Sequence, residues 1–265
     1  MKRIAETFAR CRAERRPALV TYVMGGDPDL AGSRALAQAC VDGGADLLEI
    51  GVPFSDPIAD GPTIQLAAAR ALRHGTTPRD CLEVVRAVRA RSELPVALMG
   101  YLNPLLAAGF EGFAADAAAA GADAFIIPDL LPEEAGELGE MAARHGLALV
   151  FLLAPTSTPA RVAAAARAAT GFLYFVSVTG VTGARAELPD DLTARVAAVR
   201  AASPVPVVIG FGVSSPEQAR LLGSLADGVV VGSAIVARGA APGSRSARAR
   251  RVKAFVASLA RALRG

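Results

Sequence analysis

Short apolar runs alternate with alanine-rich amphipathic stretches along most of this chain. Eight of the runs have the length and the β-branched content of buried strands. They cover residues 19–24, 46–52, 95–101, 123–128, 147–153, 172–178, 206–212 and 227–233. A continuously apolar run is typical of a parallel strand covered on both faces, and the helical stretches between the runs supply the crossovers. The pattern therefore predicts eight βα units.

The segments that lead into three of these strands resemble one another. They read GADLLEI from residue 44, GADAFII from residue 121 and LADGVVV from residue 225, which indicates an internal βα repeat. Eight units in about 250 residues match a (β/α)8 barrel, whereas a doubly wound sheet has fewer strands and a GxGxxG fingerprint that is missing here. We expect a single TIM-barrel domain over residues 1–265, with an extra N-terminal helix over 2–14, a C-terminal helix over 246–263 and additional short helices.

Composition and charge exclude some classes of function for this chain. The chain has 265 residues, of which 52% are hydrophobic, enough for a sizeable core. Its 28 basic and 25 acidic side chains give a net charge of +3. This excess is too small for a surface that tracks nucleic-acid phosphates, so we expect no nucleic-acid partner.

The cysteines and the N-terminal segment bear on the compartment. Cys11, Cys40 and Cys81 lie far apart, without a CxxC pair or a nearby histidine, so we interpret them as buried thiols in a reducing compartment. The N-terminal residues are charged throughout and lack the apolar core of a signal peptide, and no run approaches the roughly 20 apolar residues of a membrane span. We expect a cytoplasmic protein that does not contact a membrane.

Glu49 is the first candidate for chemistry, because the active site of such a barrel lies at the C-terminal ends of its strands. Side-chain alternation sets Leu47, Glu49 and Gly51 on one face of the second strand and an apolar set on the other. Glu49 should therefore point into the barrel, where desolvation raises its pKa and makes it a proton donor and acceptor. The alternative is a buried arginine that neutralises it, but no arginine or lysine lies inside a predicted strand.

The loop that follows, PFSDPIADGP, carries Asp56 and Asp60 between three prolines. A metal site would need further ligands, and His74 and His145 both lie within or beside helical stretches, so we expect no metal. The prolines restrict the loop, as expected if one carboxylate is held over a substrate. The alternative role for Asp60 is a cap on the next helix.

Three glycine-bearing segments follow late strands, at residues 180–185, 210–215 and 231–236. Backbone N–H groups of the loops after strands 7 and 8, with the start of a short helix, form the usual phosphate cradle of these barrels. These segments therefore predict a phosphorylated ligand, the alternative being glycines that only permit tight turns.

The residues also match a family. LLEIGVPFSDPIADGPTIQ at 47–65 closely resembles the signature of the tryptophan synthase alpha subunit, the indole-3-glycerol phosphate lyase family. Further segments in family order are YVMGGDP, LMGYLNPLL, IIPDLLPEEA, FLLAPTST, YFVSVTGVTGAR, GFGVSSPEQ and VVGSAIV. The likeness extends over almost the whole chain, and its first motif is very specific.

The resemblance implies a retro-aldol cleavage of indole-3-glycerol phosphate to indole and glyceraldehyde 3-phosphate, a step of L-tryptophan biosynthesis that needs no metal or organic cofactor. It implies that Glu49 transfers the protons at the scissile bond. Asp60 would accept a hydrogen bond from the indole N–H, and Tyr174 would support the catalytic glutamate.

The resemblance also implies which residues bind the substrate. The positions that match the phosphate cradle are Gly183, Gly212, Gly232 and Ser233. Those that match the indole pocket are Tyr22, Leu98 and Phe211. Tyr22 replaces the commoner family phenylalanine, and Val178 replaces a polar residue of some relatives.

The family's partner is a pyridoxal-phosphate-dependent beta subunit, in a heterotetramer of two alpha and two beta subunits. Asp56, Leu131 and Pro132 lie in segments that resemble its interface. Two alternatives remain open: a stand-alone indole-3-glycerol phosphate lyase, and a non-catalytic barrel that binds a phosphorylated ligand as an allosteric module. The presence of both Glu49 and Asp60 argues against the module.

Overall fold

A computed structural model describes residues 1–176, 191–210 and 212–265. Eight parallel strands close into a barrel in chain order, and the last strand pairs with the first. The strands are β1 (Ala18–Met24), β2 (Leu47–Gly51), β3 (Val96–Met99), β4 (Ala124–Ile126), β5 (Ala148–Leu153), β6 (Leu173–Val176), β7 (Val207–Gly210) and β8 (Gly228–Val231). The predicted fold class is confirmed.

Helices cover the outside of the barrel. They are α1 (Lys2–Ala13), α2 (Leu30–Gly43), α3 (Pro62–Arg73), α4 (Pro78–Arg89), α5 (Leu102–Ala107), α6 (Phe110–Ala120), α7 (Gly136–Arg144), α8 (Pro159–Ala168), α9 (Leu192–Ala202), α10 (Pro216–Gly223), α11 (Ser233–Ala240) and α12 (Arg245–Arg264), with a 3₁₀ turn at Pro132–Glu134. The predicted terminal helices are α1 and α12. Across the described ranges, none of these helices is both long enough and apolar enough to span a membrane.

Alternation along the strands produces two apolar layers. Outward residues such as Leu48 and Ile50 pack between the barrel and the helices. Inward residues such as Leu47 fill the lower barrel, where Ile4 and Phe8 of α1 pack against them. The extra N-terminal helix therefore closes the N-terminal end of the barrel, and the opposite end is left for ligand binding.

The repeated GAD sequence has a structural role at the N-terminal rim. A polar side chain precedes every even-numbered strand and accepts a backbone N–H from the preceding odd-numbered strand. These acceptors are Asp46, Asp123, Thr170 and Asp227, at distances of 3.0, 2.9, 2.9 and 2.9 Å from the donor nitrogens. The internal repeat predicted from the sequence thus fixes the strand pairs in register.

The aspartates of this rim are paired with arginines. Arg16 donates two hydrogen bonds to Asp46, at 2.6 and 2.9 Å, and Arg89 donates one to Asp123 at 3.0 Å. Burial by itself would raise the pKa of Asp46, but hydrogen bonds from Arg16 and from the Leu19 N–H lower it below its ordinary value. These buried charges are compensated, as structural carboxylates must be.

Candidate active site

The C-terminal ends of the strands surround a cavity of about 950 Å³. Predicted site residues from several strands and loops meet in it. Those that line the cavity are Tyr22, Glu49, Asp60, Leu131, Tyr174, Gly212, Gly232 and Ser233. Residues far apart in sequence are therefore brought together at the rim where a barrel carries its chemistry.

Glu49 lies at the centre of β2, beside Tyr22 of β1, and its side chain points into the barrel as predicted. It is only 1% exposed, and its Oε1 atom has no hydrogen-bond partner among the described residues. Burial raises the pKa of Glu49 to about 8, with no cationic partner among the described residues to oppose the shift. The described residues therefore give no support to the alternative of a neutralising arginine. A carboxyl of this kind can give and take a proton near neutral pH.

Asp60 lies on the loop between β2 and α3. Helix α3 begins after Gly61 and has no side-chain cap, so the helix-capping alternative for Asp60 is wrong. Burial raises the pKa of Asp60 to about 6, and a hydrogen bond from the Tyr101 hydroxyl opposes that rise. Asp60 is therefore mostly ionised at neutral pH, where Glu49 is mostly protonated.

Tyr101 holds this loop in place, a role that sequence reasoning missed. Its hydroxyl accepts the Ala59 N–H at 2.9 Å, so its own proton is directed to Asp60. The ring centroid lies 5.5 Å from that of Phe54 on the same loop. Tyr101 follows the end of β3, so a systematic reading of strand ends would have found it.

Tyr22 and Tyr174 extend their hydroxyls across neighbouring strands, over Gly51 and Gly210. A methyl group at either glycine would overlap the tyrosine hydroxyl, so the close approach requires glycine there. Burial raises the pKa of both tyrosines well above the ordinary value, and the charges of Glu49 and Asp60 add to the rise. Both hydroxyls therefore lie near the two acids and stay protonated.

Gly212 and Gly232, which follow β7 and β8, form a candidate anion-binding site. Gly212 has φ +69°, a conformation that favours glycine. Gly232 precedes α11, and its carbonyl accepts the N–H groups of Ile235 and Val236 at 2.8 and 3.0 Å. The first N–H groups of a helix lack intrahelical acceptors, so those at the start of α11 are available to an anion in the cavity.

Leu98 is not brought to the cavity. It is fully buried between β3 and the outer helices, whereas the next residue, Met99, lines the cavity. Because side chains alternate along a strand, matching a motif one residue out of register selects the wrong face. Gly183, Phe211 and Val178 lie outside the described residues, so their predicted roles stay predictions.

Of the predicted partner-facing residues, Leu131 lines the cavity, and Asp56 and Pro132 are close in sequence to the lining residues Ile58 and Leu131. Asp56 is exposed and accepts a hydrogen bond from the Ser55 hydroxyl, and Pro132 begins the 3₁₀ turn. Leu131 is 42% exposed and Ile58 is 80% exposed, and both also line the cavity. Exposed apolar side chains around a site are typical of a protein-binding rim.

Cysteines and metal ligands add little to the site. All three cysteines are free and buried, as predicted. Within the described ranges, no three histidine, cysteine, aspartate or glutamate side chains lie close enough to hold a metal ion. The expectation that the reaction needs no metal stays a prediction.

Fold and site define a TIM-barrel enzyme with a buried glutamate and a half-buried aspartate at its C-terminal rim. The family model described as tryptophan synthase alpha chain matches residues 8–264, and the chain belongs to that family. The alpha chain of Geobacter sulfurreducens is 56% identical over 236 residues, covering 89% of each chain. The alpha chain of Pelobacter propionicus is 47% identical and covers 100% of this chain and 99% of its own.

Solved structures agree with this assignment. A chain of Mycobacterium tuberculosis tryptophan synthase superimposes with a TM-score of 0.91 at 41% identity, covering 99% of this chain and 98% of that one. The resemblance seen in the sequence is thereby confirmed. The protein is a lyase subunit of tryptophan biosynthesis, and its family's step is the alpha reaction.

Proposed function

We propose that the cavity binds indole-3-glycerol phosphate and cleaves it to indole and glyceraldehyde 3-phosphate, with Glu49 as the proton-transfer residue. The observation that carries this proposal is the buried carboxyl of Glu49 on the cavity wall, whose Oε1 atom has no hydrogen-bond partner in the described part of the chain. Such a group costs stability, and neither packing nor ion pairing explains its presence.

Glu49 performs two proton transfers in turn. The protonated carboxyl first donates its proton to indole C3, which leaves an iminium at the ring nitrogen. The resulting carboxylate then takes the proton of the side-chain hydroxyl. As the O–H electron pair forms the aldehyde C=O, the bond from C3 to the side chain breaks, and its electrons neutralise the iminium. A pKa near 8 suits this order, because the acid form is present at neutral pH.

Asp60 stabilises the positive charge that develops on the ring. In the proposed complex its carboxylate accepts a hydrogen bond from the indole N–H, and this bond strengthens as the iminium forms. Tyr101 keeps the loop and the carboxylate in place through its contacts with Ala59 and Asp60. The Tyr174 hydroxyl supports the reaction from β6, across the barrel from Glu49 on β2, in the cavity that both residues line.

The substrate is bound at its two ends. The phosphate is held by backbone N–H groups of Gly212 and Gly232 and by Ser233, with Gly183 as a further expected donor. The indole lies against Tyr22 and Met99, which takes the place of Leu98, with Phe211 as a further expected contact. Apolar walls around a few polar groups suit an aromatic phosphate ester.

The partner is proposed to be the beta subunit of tryptophan synthase, in a complex of two alpha and two beta subunits. Asp56, Leu131 and Pro132, with the exposed Ile58, would form the contact. An apolar rim over the cavity lets released indole pass to the partner without entering bulk water. We further propose that residues 1–265 act as one barrel domain in the cytoplasm.

The test is indole release from indole-3-glycerol phosphate by the purified chain, alone and with the beta subunit of a close relative. Weak activity that rises strongly with the beta subunit would support the coupled alpha subunit. High activity that the beta subunit leaves unchanged would favour a stand-alone lyase. No release under either condition would contradict the proposed function and turn attention to a binding role.

A further inference from the structure

Among the described residues, two arginines line the cavity, and they differ in their partners. Arg161, at the start of α8, lies 3.4 Å from the Glu133 carboxylate. Arg238, in α11, forms no ion pair with any described residue. A cation on a cavity wall without a protein counter-ion has its charge available for an anionic ligand.

Arg238 is held in a fixed position. Its Nη1 donates to the Ala234 carbonyl at 2.8 Å, and its guanidinium carbon lies 3.5 Å from the centre of the Phe255 ring in α12. A stacked guanidinium keeps its remaining N–H groups in a rigid planar fork. Its partners therefore orient Arg238 without neutralising it.

The hydrogen bond to Ala234 holds the Arg238 guanidinium beside the proposed phosphate site. Ala234 is the second residue of α11, directly after Ser233, and lines the same cavity as Gly212, Gly232 and Ser233. Backbone N–H groups supply only partial charges, whereas a phosphate monoester carries up to two full negative charges near neutral pH. A guanidinium bonded to the first turn of the same helix can compensate charge that the backbone leaves uncompensated.

We propose that Arg238 is a ligand-binding residue that supplies the counter-charge for the phosphate group and favours the phosphate dianion over less charged ligands. The inference rests on the proposed function, because it concerns the phosphate end of the same site. Arg238 acts in binding and not in the proton transfers, so its loss should change affinity more than turnover.

The test compares wild type with Arg238→Met, which keeps an apolar stem over Phe255, and with Arg238→Gln, which keeps a donor for the Ala234 carbonyl. Arg261→Met is the matched control, because it removes one exposed positive charge from the last turn of α12, away from the cavity lining. Calorimetry gives the Kd of glyceraldehyde 3-phosphate and of inorganic phosphate. Indole release gives kcat and KM, and thermal unfolding checks the fold of each variant.

We expect both Arg238 variants to raise Kd and KM by about three- to tenfold, a range that allows for solvent screening, and to leave kcat within about twofold. Arg238→Lys should recover part of the affinity, since it restores the charge without the fork. Added salt should weaken binding to wild type more than binding to Arg238→Met.

Unchanged Kd and KM in both folded variants would overturn the role of Arg238 while leaving the proposed function intact. An equal loss in Arg261→Met would also overturn it, because net charge alone would then explain the effect. If wild type binds no phosphate ligand and releases no indole, the proposed function itself fails, and this inference fails with it.

Discussion

Asp46, directly before β2, and Glu49, within it, lie three residues apart and have opposite environments. Both are almost fully buried, with exposures of 4% and 1%. Asp46, at the N-terminal rim, accepts hydrogen bonds from two arginines and a backbone N–H, which keep its pKa low. Glu49, at the C-terminal rim, has no cationic partner among the described residues, and burial raises its pKa to about 8. Two similarly buried carboxylates therefore differ in pKa because arginines compensate one of them and no described cation compensates the other.

The contrast extends to the two ends of the barrel. Asp123 and Asp227 repeat the arrangement of Asp46, each with an arginine and a strand N–H. Asp60, on the opposite rim, accepts a hydrogen bond from a tyrosine hydroxyl and pairs with none of the described arginines, and its pKa is raised. The N-terminal rim uses acids to fix strands, whereas the C-terminal rim keeps them available for a ligand.

Glu49→Gln should give the largest effect. Without the proton shuttle, indole release should fall by about a hundred- to ten-thousandfold, whereas the Kd of glyceraldehyde 3-phosphate should hardly change. Steady-state assays and calorimetry measure the two quantities. Turnover within about tenfold of wild type would remove Glu49 from the mechanism.

Asp46→Asn should act on stability instead of chemistry. It leaves Arg16 buried with a weakened partner, so urea unfolding should show a loss of about 3 to 5 kcal/mol. Asp123→Asn is the matched variant on β4. The kcat of the folded protein should stay within about twofold, since neither aspartate touches the cavity. A large activity loss without destabilisation would contradict the division between the two rims.

The pH dependence of stability should have opposite signs at the two acids. The folded pKa of Glu49 is raised above its ordinary value of 4.5, so the buried carboxyl costs no folding stability below pH 4.5, where it is protonated in both states. The loss of stability grows as the pH rises towards 8. Wild type should therefore lose up to about 4 kcal/mol relative to Glu49→Gln between pH 4.5 and pH 8. The pKa of Asp46 is lowered, so its contribution is present above the unfolded pKa and is lost as the pH falls through the folded one. Urea unfolding of wild type and Glu49→Gln at several pH values measures this difference in the free energy of unfolding. A difference that does not change with pH would contradict the prediction.

Asp60→Asn should lower the rate by a smaller factor, about ten- to a hundredfold, because an amide oxygen can still accept the ring N–H. Asp60 must be ionised to stabilise the iminium, and its pKa is about 6. The kcat of wild type at saturating substrate should therefore fall below pH 6, and the variant should lack that fall. An unchanged rate in the variant would exclude Asp60 from the reaction.

Tyr22→Phe should give the smallest effect, a change in kcat/KM below about threefold. The hydroxyl contacts the Met24 sulfur at 3.9 Å, a weak acceptor, and forms no other hydrogen bond with the described residues. Assays of Tyr22→Phe beside Tyr174→Phe compare the two hydroxyls directly. A loss for Tyr22→Phe as large as for Asp60→Asn would show that the Tyr22 hydroxyl takes part in the reaction.

Most of the fold and the centre of the site could be predicted from the sequence. The eight apolar runs are long enough to identify strands, and alternation within DLLEIGV is enough to orient Glu49. Leu98 was wrong because the motif was matched one residue out of register, and one residue along a strand reverses the face. Tyr101 could have been found at the end of β3, but its bond to Ala59 could not, and Arg238 depends on a contact with Phe255 that no local pattern contains.

The most direct test of the contrast between the two rims is a carboxyl titration of Glu49. Protein with ¹³C-labelled glutamate carboxyls is followed by NMR from pH 4 to pH 10, beside Glu49→Gln to assign the signal. We predict one resonance, missing from the variant, that titrates near pH 8. A Glu49 resonance that titrates near the ordinary value of 4.5 would contradict the claim that this acid is buried without a cationic partner among the described residues and held ready for proton transfer.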